Sequence, residues 1–317
     1  MEEGILRGVL DKFQETCPSY TVAFEVIAGE YQNVMLPRLG TGDAPDLFYV
    51  QQGYAQDWIT QELMQPLDDQ IAAAGFDLAP FFPGYLAPFQ QDGLTYGIPK
   101  DSSVLAMQTN DEMLATAEVE IPTTVEELET AARALKEGGV ETPMCFAAEY
   151  ARAGAFIEAH GGGMLNEERT EQAIDTPESR AGLDWYIRMY QEGLAQYPGQ
   201  IGADWCGAAL AAGQVAIAFE GNWIGPAMAE NAPDLAYTVS PIPQATEEAT
   251  LSFTAAYAYS PDSPNPEGSW ALLSYLTSQE GQQAWVDGGL VLPSRDDVDV
   301  NETTLAQYAP FGEFAHP

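Results

Sequence analysis

The chain has 317 residues, of which 46% are hydrophobic and 19% charged, and this composition is typical of a globular protein. Because a single hydrophobic core stops growing at roughly 250–300 residues, the length favours two lobes over one. Eleven basic residues face 48 acidic ones, and the net charge of −37 would repel nucleic acid and anionic lipid, so we expect neither as a partner. The acidity indicates either a solvated surface that maintains solubility or an adaptation to high salt.

The sequence indicates neither a membrane span nor a targeting signal. It contains no run of 18 or more apolar residues. The first residues form a polar, helix-like segment in place of the basic and apolar start of a signal peptide. We therefore expect either a cytoplasmic protein or an exported protein whose signal has been removed.

The cysteines and histidines give little support to a metal site. Cys17, Cys145 and Cys206 lie far apart, no CxxC pair occurs, and the two histidines are His160 and His316. A zinc site is therefore not expected, and no motif indicates a cofactor. One disulfide and three free thiols both remain open.

The first part of the chain alternates between helix-like and strand-like segments. Residues 2–15 place their apolar side chains on one helical face, and Pro18 ends this predicted helix. The segments that follow are a strand at 20–27, a helix at 30–39 that contains Pro37, a short buried strand at 46–50 and a mixture of helix and loop at 58–74. Residues 76–91 are rich in aromatics and proline, which predicts a surface connection.

The stretch at 93–110, GLTYGIPKDSSVLAMQTN, predicts a crossing between two sheets. Residues 94–98 and 104–109 both suit buried strands. Because Pro99 cannot donate to a sheet ladder, we expect the pairing to break there. Four polar residues follow, namely Lys100, Asp101, Ser102 and Ser103. Clefts between lobes are where small ligands bind, so this segment is a candidate for the floor of a ligand cleft.

Beyond the crossing, two helices have clear start signals. Thr123 and Thr124, with glutamates three positions later, form a capping box for a helix that runs to about Lys136. Thr176 and the proline after it begin another helix. We expect the inner face of this second helix to consist of Leu183, Tyr186, Ile187 and Tyr190.

The remaining elements continue the alternation. Further helices are expected at 153–159, 208–212, after Asn222, at 265–276 and at 279–286. Further strands are expected at 142–147, 214–219, 237–240 and 253–259. Alternating strands and helices predict α/β lobes with largely parallel sheets.

Several catalytic motifs are absent from the sequence. Nucleotide binding has no support, because neither a P-loop nor G-x-G-x-x-G occurs. His160 and the three glycines after it resemble a lipase oxyanion hole, but no serine lies in a G-x-S-x-G elbow. No spacing among the acidic residues singles out the carboxylate pair of a glycoside hydrolase, and that enzyme class stays as an alternative.

Aromatic and acidic side chains recur just after predicted strands. Trp223 follows the strand at 214–219, Glu149 and Tyr150 follow the strand at 142–147, and Tyr54 follows the strand at 46–50. In parallel α/β sheets, the carboxyl ends of strands face the ligand crevice. Indole and phenol rings can cover the apolar face of a sugar, while carboxylates accept hydrogen bonds from its hydroxyls. Core packing is the commoner role of any single aromatic, but the set as a whole predicts a binding site.

The order of these features resembles that of the extracellular solute-binding proteins of sugar ABC importers, the maltose-binding-protein-like group, from about residue 4 to residue 296. GTGDAPDLFYV at 40–50 is similar to the family's turn and strand, and YGIP at 96–99 is similar to the start of its crossing segment. Further similar motifs are P-T-T-x-x-E-L within 122–135, GG-x-L within 161–165, A-x-G-x-x-A and G-x-W within 211–223, S-x-N-P-E within 263–281, and L-P-x-R-x-D near 289–296.

The resemblance implies an α/β, two-lobed periplasmic-binding-protein-like fold, with crossing hinge strands and a ligand cleft between the lobes. We expect lobe one to comprise residues 1–102 and 247–290, and lobe two to comprise residues 103–246 and 291–317. Compared with the family, the chain is expected to lack the signal peptide, the first strand and the C-terminal helices.

The resemblance also implies a function without catalysis. The protein would be the substrate-binding component of an ABC importer, which captures a mono- or oligosaccharide and delivers it to a membrane permease. It would act as a monomer outside the cytoplasm, either in the periplasm or anchored at the cell surface.

The motif matches assign candidate ligand-binding residues. Trp223 matches the family's sugar-stacking tryptophan, and Asp101→Ala is expected to weaken ligand binding more than folding. The full set is Tyr54, Asp101, Ser102, Glu149, Tyr150, Trp205, Trp223 and Tyr257, of which Trp205 and Tyr257 rest on position alone.

Two alternatives of other classes remain. A carbohydrate-active hydrolase would use two cleft carboxylates, and turnover of a chromogenic glycoside would identify it. A binder of polyamines, an osmolyte or iron could use the same scaffold, because an acidic cleft rich in aromatics suits a cation. Competition by spermidine or betaine in place of sugars would identify this second alternative.

Overall fold

The computed structural model describes residues 2–27, 31–166, 171–300 and 304–316. The helices are α1 (Glu2–Thr16), α2 (Tyr31–Thr41), α3 (Gln52–Thr60), α4 (Asp68–Ala74), α5 (Pro83–Leu86), α6 (Asp111–Thr116), α7 (Val125–Glu137), α8 (Tyr150–Ala159), α9 (Pro177–Gln191), α10 (Cys206–Ala211), α11 (Ile224–Asn231), α12 (Pro266–Leu276) and α13 (Gln279–Asp287). The strands are β1 (Leu47–Gln51), β2 (Gln90–Gln91), β3 (Leu94–Thr95), β4 (Ile98–Pro99), β5 (Ser103–Asn110), β6 (Thr142–Cys145), β7 (Ala195–Gln196), β8 (Val215–Gly221), β9 (Tyr237–Ser240), β10 (Thr250–Phe253), β11 (Ala255–Tyr259) and β12 (Ala315–His316). Short 3₁₀ helices lie at Ala87–Phe89, Pro198–Gln200, Thr304–Gln307 and Ala309–Phe314.

The described residues divide into two compact units. The first consists of those within Met1–Ser102 and Phe253–Leu305, and the second of those within Ser103–Ser252 and Ala306–His316. The chain first passes from one unit to the other between Ser102 and Ser103, inside the polar segment that the sequence singles out. In the parts of the chain that are described, no helix combines the length and the apolar character that a membrane crossing requires.

The other boundaries differ from those expected from the sequence. Residues 247–252 belong to the second unit, where Thr250 Oγ1 donates a hydrogen bond to the Leu105 carbonyl at 2.9 Å. The described residues within 291–305 belong to the first unit, where Leu292 forms a β-bridge with Ser102. Local sequence does not reveal these long-range pairings.

The first unit is built on a sheet with the strand order β1-β11-β4. In β11, Tyr257 and Tyr259 pack into an apolar cluster with side chains of α1, α12 and α13. Ala256 and Ala258 point the other way, into a second cluster with side chains of α2 and α3. This alternation explains why β11 reads as a continuous apolar run, since a sheet with helices on both faces buries both sets of side chains.

The expectation of largely parallel sheets is wrong for this unit, because β11 pairs antiparallel with both β1 and β4. In the second unit the sheet has the order β12-β10-β5-β8-β6-β7 and is mixed. Strand β6 is parallel to β7 and β8, whereas β5 is antiparallel to β8 and β9. Alternating elements indicate that helices cover a sheet, but a strand that arrives from a distant part of the chain can pair in either direction.

A second difference concerns residues 20–27, which form no sheet ladder with any described residue. They run extended, and Val22 and Phe24 pack against the cluster of the first unit. The alternating pattern in the sequence therefore reflects contact of every second side chain with the core and no strand pairing.

The start of α7 confirms its predicted cap. Thr124 Oγ1 accepts a hydrogen bond from the Glu127 amide at 3.2 Å, and Glu127 Oε2 accepts one from the Thr123 amide at 2.9 Å. These hydrogen bonds lower the pKa of Glu127. Two amides that have no partner within the helix are satisfied in this way, which fixes the first turn of α7.

The predicted inner face of α9 is wrong in part. Leu183 is 37% exposed and Ile187 is 41% exposed, whereas Tyr186 is buried together with Trp185 and Met189. The face that is buried contains Gly182, where an added Cβ would lie 2.6 Å from Ile157 Cα in α8. The close approach of α8 to α9 at Gly182 decides which side of α9 faces the core. The hydrophobic pattern of the sequence alone does not reveal this side.

The cysteine question is resolved as one disulfide, between Cys145 and Cys206, with Cys17 as a free and half-buried thiol. The bond joins the end of β6 to the first residue of α10. It therefore ties together two elements of the second unit that are 61 positions apart in sequence.

An ion-pair network joins α7 to α9. Both carboxylate oxygens of Glu129 accept hydrogen bonds from Arg188, at 2.9 and 2.8 Å, and Arg133 adds one at 2.7 Å. The hydrogen bonds from Arg188 are the largest cause that lowers the pKa of Glu129 from 4.5 to about 2. A lowered pKa means that the ionised form stabilises the fold above pH ~4.5, and that this stability is lost as the pH falls toward 2.

Replacing Glu129 with glutamine should lower the free energy of unfolding by about 1–2 kcal/mol at pH 7, after allowance for solvent screening of a partly exposed network. The difference from the parent protein should shrink as the pH falls from about 4.5 to about 2, because in this range the unfolded chain binds a proton at Glu129 that the folded protein does not. Urea denaturation at several pH values measures this, with the exposed Glu126→Gln in the same helix as control. A pH-independent difference would show that Glu129 acts through packing instead of charge.

Candidate functional site

In the second unit, the end of β8 carries a cluster of charged and aromatic side chains. Glu220 is the penultimate residue of β8 and is only 1% exposed. Its Oε2 accepts hydrogen bonds from Arg152 Nη2 at 2.5 Å and from the indole Nε1 of Trp223 at 3.0 Å. The Arg152 guanidinium also lies over the Trp223 ring, 5.2 Å from its centroid. A buried carboxylate, a guanidinium and an indole thus hold one another in place.

Glu149 extends this cluster toward solvent. Its Oε1 forms an ion pair with Arg152 Nη1 at 2.9 Å, and the Glu149 side chain is about half exposed. Arg152 therefore bridges an exposed carboxylate and the buried carboxylate of Glu220. Two negative charges are thus linked through Arg152, whose guanidinium lies over the half-buried Trp223 ring, and carboxylates can accept hydrogen bonds from hydroxyl or ammonium groups.

The backbone of Glu220 is fixed by Gln108 of β5, which is fully buried. Gln108 Oε1 accepts a hydrogen bond from the Glu220 amide at 2.9 Å, and Gln108 Nε2 donates one to the Glu220 carbonyl at 2.8 Å. Burial raises the pKa of the Glu220 carboxyl above its ordinary value, while the Arg152 charge and the two hydrogen bonds act in the opposite direction. Buried polar contacts thus hold the Glu220 carboxylate at the end of β8.

Two further predicted residues lie on helices of the same unit. Tyr150 is the first residue of α8 and is half-buried, and burial raises its pKa to about 12. Trp205 precedes α10, and its six-membered ring lies against Gly207. Through the Cys145–Cys206 bond, the residue after Trp205 is covalently joined to the end of β6, a few residues before Glu149.

The predicted residues of the first unit have well-defined structural partners. Asp101 Oδ2 accepts a short hydrogen bond from Lys100 Nζ, and Asp101 Oδ1 accepts one from the Ala255 amide at 3.1 Å. Ser102 Oγ donates to the Pro293 carbonyl at 2.8 Å, and its backbone pairs with Leu292. Both side chains therefore fasten the crossing segment to other parts of the first unit.

Tyr54 and Tyr257 differ strongly in exposure. Tyr54 lies on α3 with 37% of its surface exposed, so its ring is accessible. Tyr257 is 2% exposed in the core cluster of the first unit, against Tyr49 at a ring distance of 5.2 Å. Its placement among the ligand-binding residues stays a prediction, and the structure shows that β11 turns this side chain into the core.

Sequence reasoning missed Arg152, Glu220 and Gln108. The signal for Arg152 was its spacing, since Glu149 and Arg152 are three apart at the start of a helix and basic residues are scarce in this chain. Glu220 could have been found as an acidic residue inside a strand that is otherwise apolar. No local pattern indicates the contact of Gln108 with residues more than 100 positions away.

The fold and the candidate site are those of a protein that binds small molecules. Such proteins typically have α/β units in which aromatic and charged side chains converge at the end of a strand. Residues 8–309 match the family model of the bacterial extracellular solute-binding proteins. The chain therefore belongs to the bacterial extracellular solute-binding protein family.

Solved structures share the fold. The GacH receptor of Streptomyces glaucescens GLA.O, studied unliganded and with acarbose, is 22% identical with a TM-score of 0.90, covering 99% of this chain and 84% of that one. An ABC substrate-binding protein of Listeria monocytogenes in complex with cycloalternan is 20% identical with a TM-score of 0.89, covering 98% and 84%. An ABC transporter solute-binding protein of Thermotoga lettingae TMO, bound with α-D-tagatose, is 22% identical with a TM-score of 0.83, covering 98% and 82%.

Proposed function

We propose that this solute-binding protein captures a mono- or oligosaccharide outside the cytoplasm and delivers it to the membrane permease of an ABC importer, without catalysing a reaction. The observation that carries the proposal is the Trp223 indole at the end of β8, held by Glu220 and Arg152. An indole in a fixed orientation suits the apolar C–H face of a sugar ring.

The charged groups around Trp223 add the polar half of a sugar site. Glu149 is half exposed, is paired with Arg152, and can accept hydrogen bonds from sugar hydroxyls. Because Arg152 and Glu220 neutralise each other, the additional charge of Glu149 disfavours an anionic ligand at this point. A neutral sugar can donate hydrogen bonds to Glu149 and is not repelled by its charge.

Two independent observations support the class of ligand and the location. The three structural neighbours are described with acarbose, cycloalternan and α-D-tagatose, which favours a sugar for this chain as well. The family is extracellular, and the Cys145–Cys206 disulfide is of a kind that persists in oxidising compartments. An extracytoplasmic place of action follows from both.

The remaining parts of the proposal rest on the family. The protein would act as a monomer that binds its ligand and then meets its permease. Tyr54, Tyr150 and Trp205 would contribute aromatic contacts, and Asp101 and Ser102 would shape the crossing segment that connects the units.

Trp223→Ala should weaken sugar binding by about 30-fold or more, because a tryptophan at the centre of a binding site commonly contributes at least ~2 kcal/mol. Isothermal titration with acarbose, cycloalternan and tagatose as probes measures the loss. Trp270→Phe, on a helix of the first unit and packed against Phe76, is the control and should bind as the parent does.

Three outcomes would contradict the proposed function. A folded protein that binds no sugar probe would contradict the ligand class, and displacement by spermidine or betaine in place of sugars would redirect it to a cationic solute. Turnover of a chromogenic glycoside that disappears in Glu149→Gln would indicate a hydrolase.

A further inference from the structure

Two tryptophans of the second unit each pack their six-membered ring against a glycine. The six-membered ring of Trp223 lies so close to Gly221 that an added Cβ would be 2.1 Å from its Cζ3 atom. The ring of Trp205 lies in the same way against Gly207, where an added Cβ would be 2.2 Å from Cζ3. Since van der Waals contact between carbons needs about 3.5 Å, any larger residue at either glycine must displace the ring.

The backbone does not explain these glycines. Neither Gly207 nor Gly221 has the positive φ that favours glycine, so an alanine would suit both backbones. Gly207 lies inside α10 and Gly221 ends β8, and glycine is less favourable than alanine in both kinds of element. The two rings are therefore what requires a residue without a side chain.

Trp223 is held from two further directions. Glu220 Oε2 accepts the hydrogen bond of its indole N–H at 3.0 Å, and the Arg152 guanidinium lies 5.2 Å from the ring centroid. Glycine contact, hydrogen bond and guanidinium contact involve different parts of the indole. Together they restrict the orientation of the ring.

We propose that Gly221 and Gly207 are positioning residues, which seat the Trp223 and Trp205 rings in the orientation that stacks on a ligand. The inference rests on the proposed sugar-binding function and adds to it the residues that pre-orient its aromatic platform. A ring that is already fixed loses little conformational freedom on binding, so the whole stacking energy contributes to affinity. For Trp223, Glu220 and Arg152 act as positioning residues of the same kind.

Gly221→Ala tests, with two measurements, whether Gly221 fixes the orientation of the Trp223 ring. The first is the indole N–H resonance of Trp223 in ¹H–¹⁵N spectra of the ligand-free protein, assigned by its loss in Trp223→Phe. We expect this resonance to shift in Gly221→Ala, because the displaced ring changes its hydrogen bond to Glu220. The second is titration with acarbose, cycloalternan and tagatose, in which we expect the tightest-binding probe to lose about tenfold or more in affinity.

Gly225→Ala is the matched control. Gly225 lies in α11, two residues after Trp223, and an added Cβ there meets no atom within 4 Å. The control should keep both the indole resonance and the affinity. Gly207→Ala repeats the test for Trp205, with Trp205→Phe for the assignment.

The outcomes separate this inference from the function on which it rests. If the parent protein binds no probe, the proposed function fails, while the indole resonance still decides whether glycine seats the ring. An unchanged resonance and unchanged affinity in Gly221→Ala would overturn the inference. If Gly221→Ala does not fold, Gly221→Ala/Trp223→Ala should fold because the clash is gone, and failure of this double variant would overturn the inference too.

Discussion

Asp101→Ala is expected to lower the free energy of unfolding by about 3–5 kcal/mol, because it removes a carboxylate that pairs with the buried ammonium of Lys100 and accepts a backbone amide hydrogen. Lys100 is 4% exposed, and its Nζ forms a short ion pair with Asp101 Oδ2. The ammonium also lies 4.7 Å from the ring centroids of both Tyr49 and Trp285. These aromatic contacts stabilise a cation, but each supplies only about 0.5–2 kcal/mol and cannot replace a carboxylate.

The same carboxylate also fastens two parts of the first unit to each other. Asp101 Oδ1 accepts the amide hydrogen of Ala255, and the Asp101 carbonyl accepts the hydroxyl hydrogen of Thr254 at 2.7 Å. Both partners stand at the start of β11, where the chain re-enters the first unit. The contacts therefore change the expectation from sequence, and we now expect the variant to lose stability before it loses ligand affinity.

A double-mutant cycle with Lys100→Met measures the pair itself. Lys100→Met/Asp101→Ala should be more stable than Asp101→Ala alone, because the buried ammonium that has lost the carboxylate of Asp101 is removed as well. Urea denaturation gives the four free energies, and Asp296→Ala serves as a control for loss of an acidic residue. Additive effects, or a loss below ~1 kcal/mol for Asp101→Ala, would show that the ion pair contributes little.

Local signals in the sequence predicted local structure well. The cap at Thr124 and the end of the β4 ladder at Pro99 both depend on a few neighbouring residues, and both occur as expected. The polar segment after Pro99 coincides with the passage between units, and β4 ends at Pro99, which has no amide hydrogen to donate to a ladder.

Features that depend on distant contacts could not be predicted in this way. The direction of β11, the buried side of α9 and the core position of Tyr257 are all decided by partners far away in the sequence. The same difference between local and long-range signals applies to the residues of the candidate site. Trp223 and Glu149 were found because they follow strands, whereas Arg152 and Gln108 act through contacts that no periodicity records.

The disulfide is a further long-range feature, and its removal should have the second large effect. Cys145→Ala/Cys206→Ala is expected to lower the free energy of unfolding by about 4 kcal/mol, because the bond closes a long loop and restricts the unfolded chain. Both cysteines are buried, so alanine is preferred to serine, which would bury an unpaired hydroxyl.

Cys17→Ala supplies the matched control, since Cys17 is a free cysteine and lies in the first unit. Its loss should be within about 1 kcal/mol, the range of a small, half-buried side chain. Urea denaturation of the parent protein with and without a reductant should reproduce the double variant, because both remove the same cross-link. If reduction leaves the unfolding midpoint where it was and the double variant matches Cys17→Ala, the bond does not stabilise the second unit. In that case the packing of α10 against β8 and α11 would have to hold it in place without the bond.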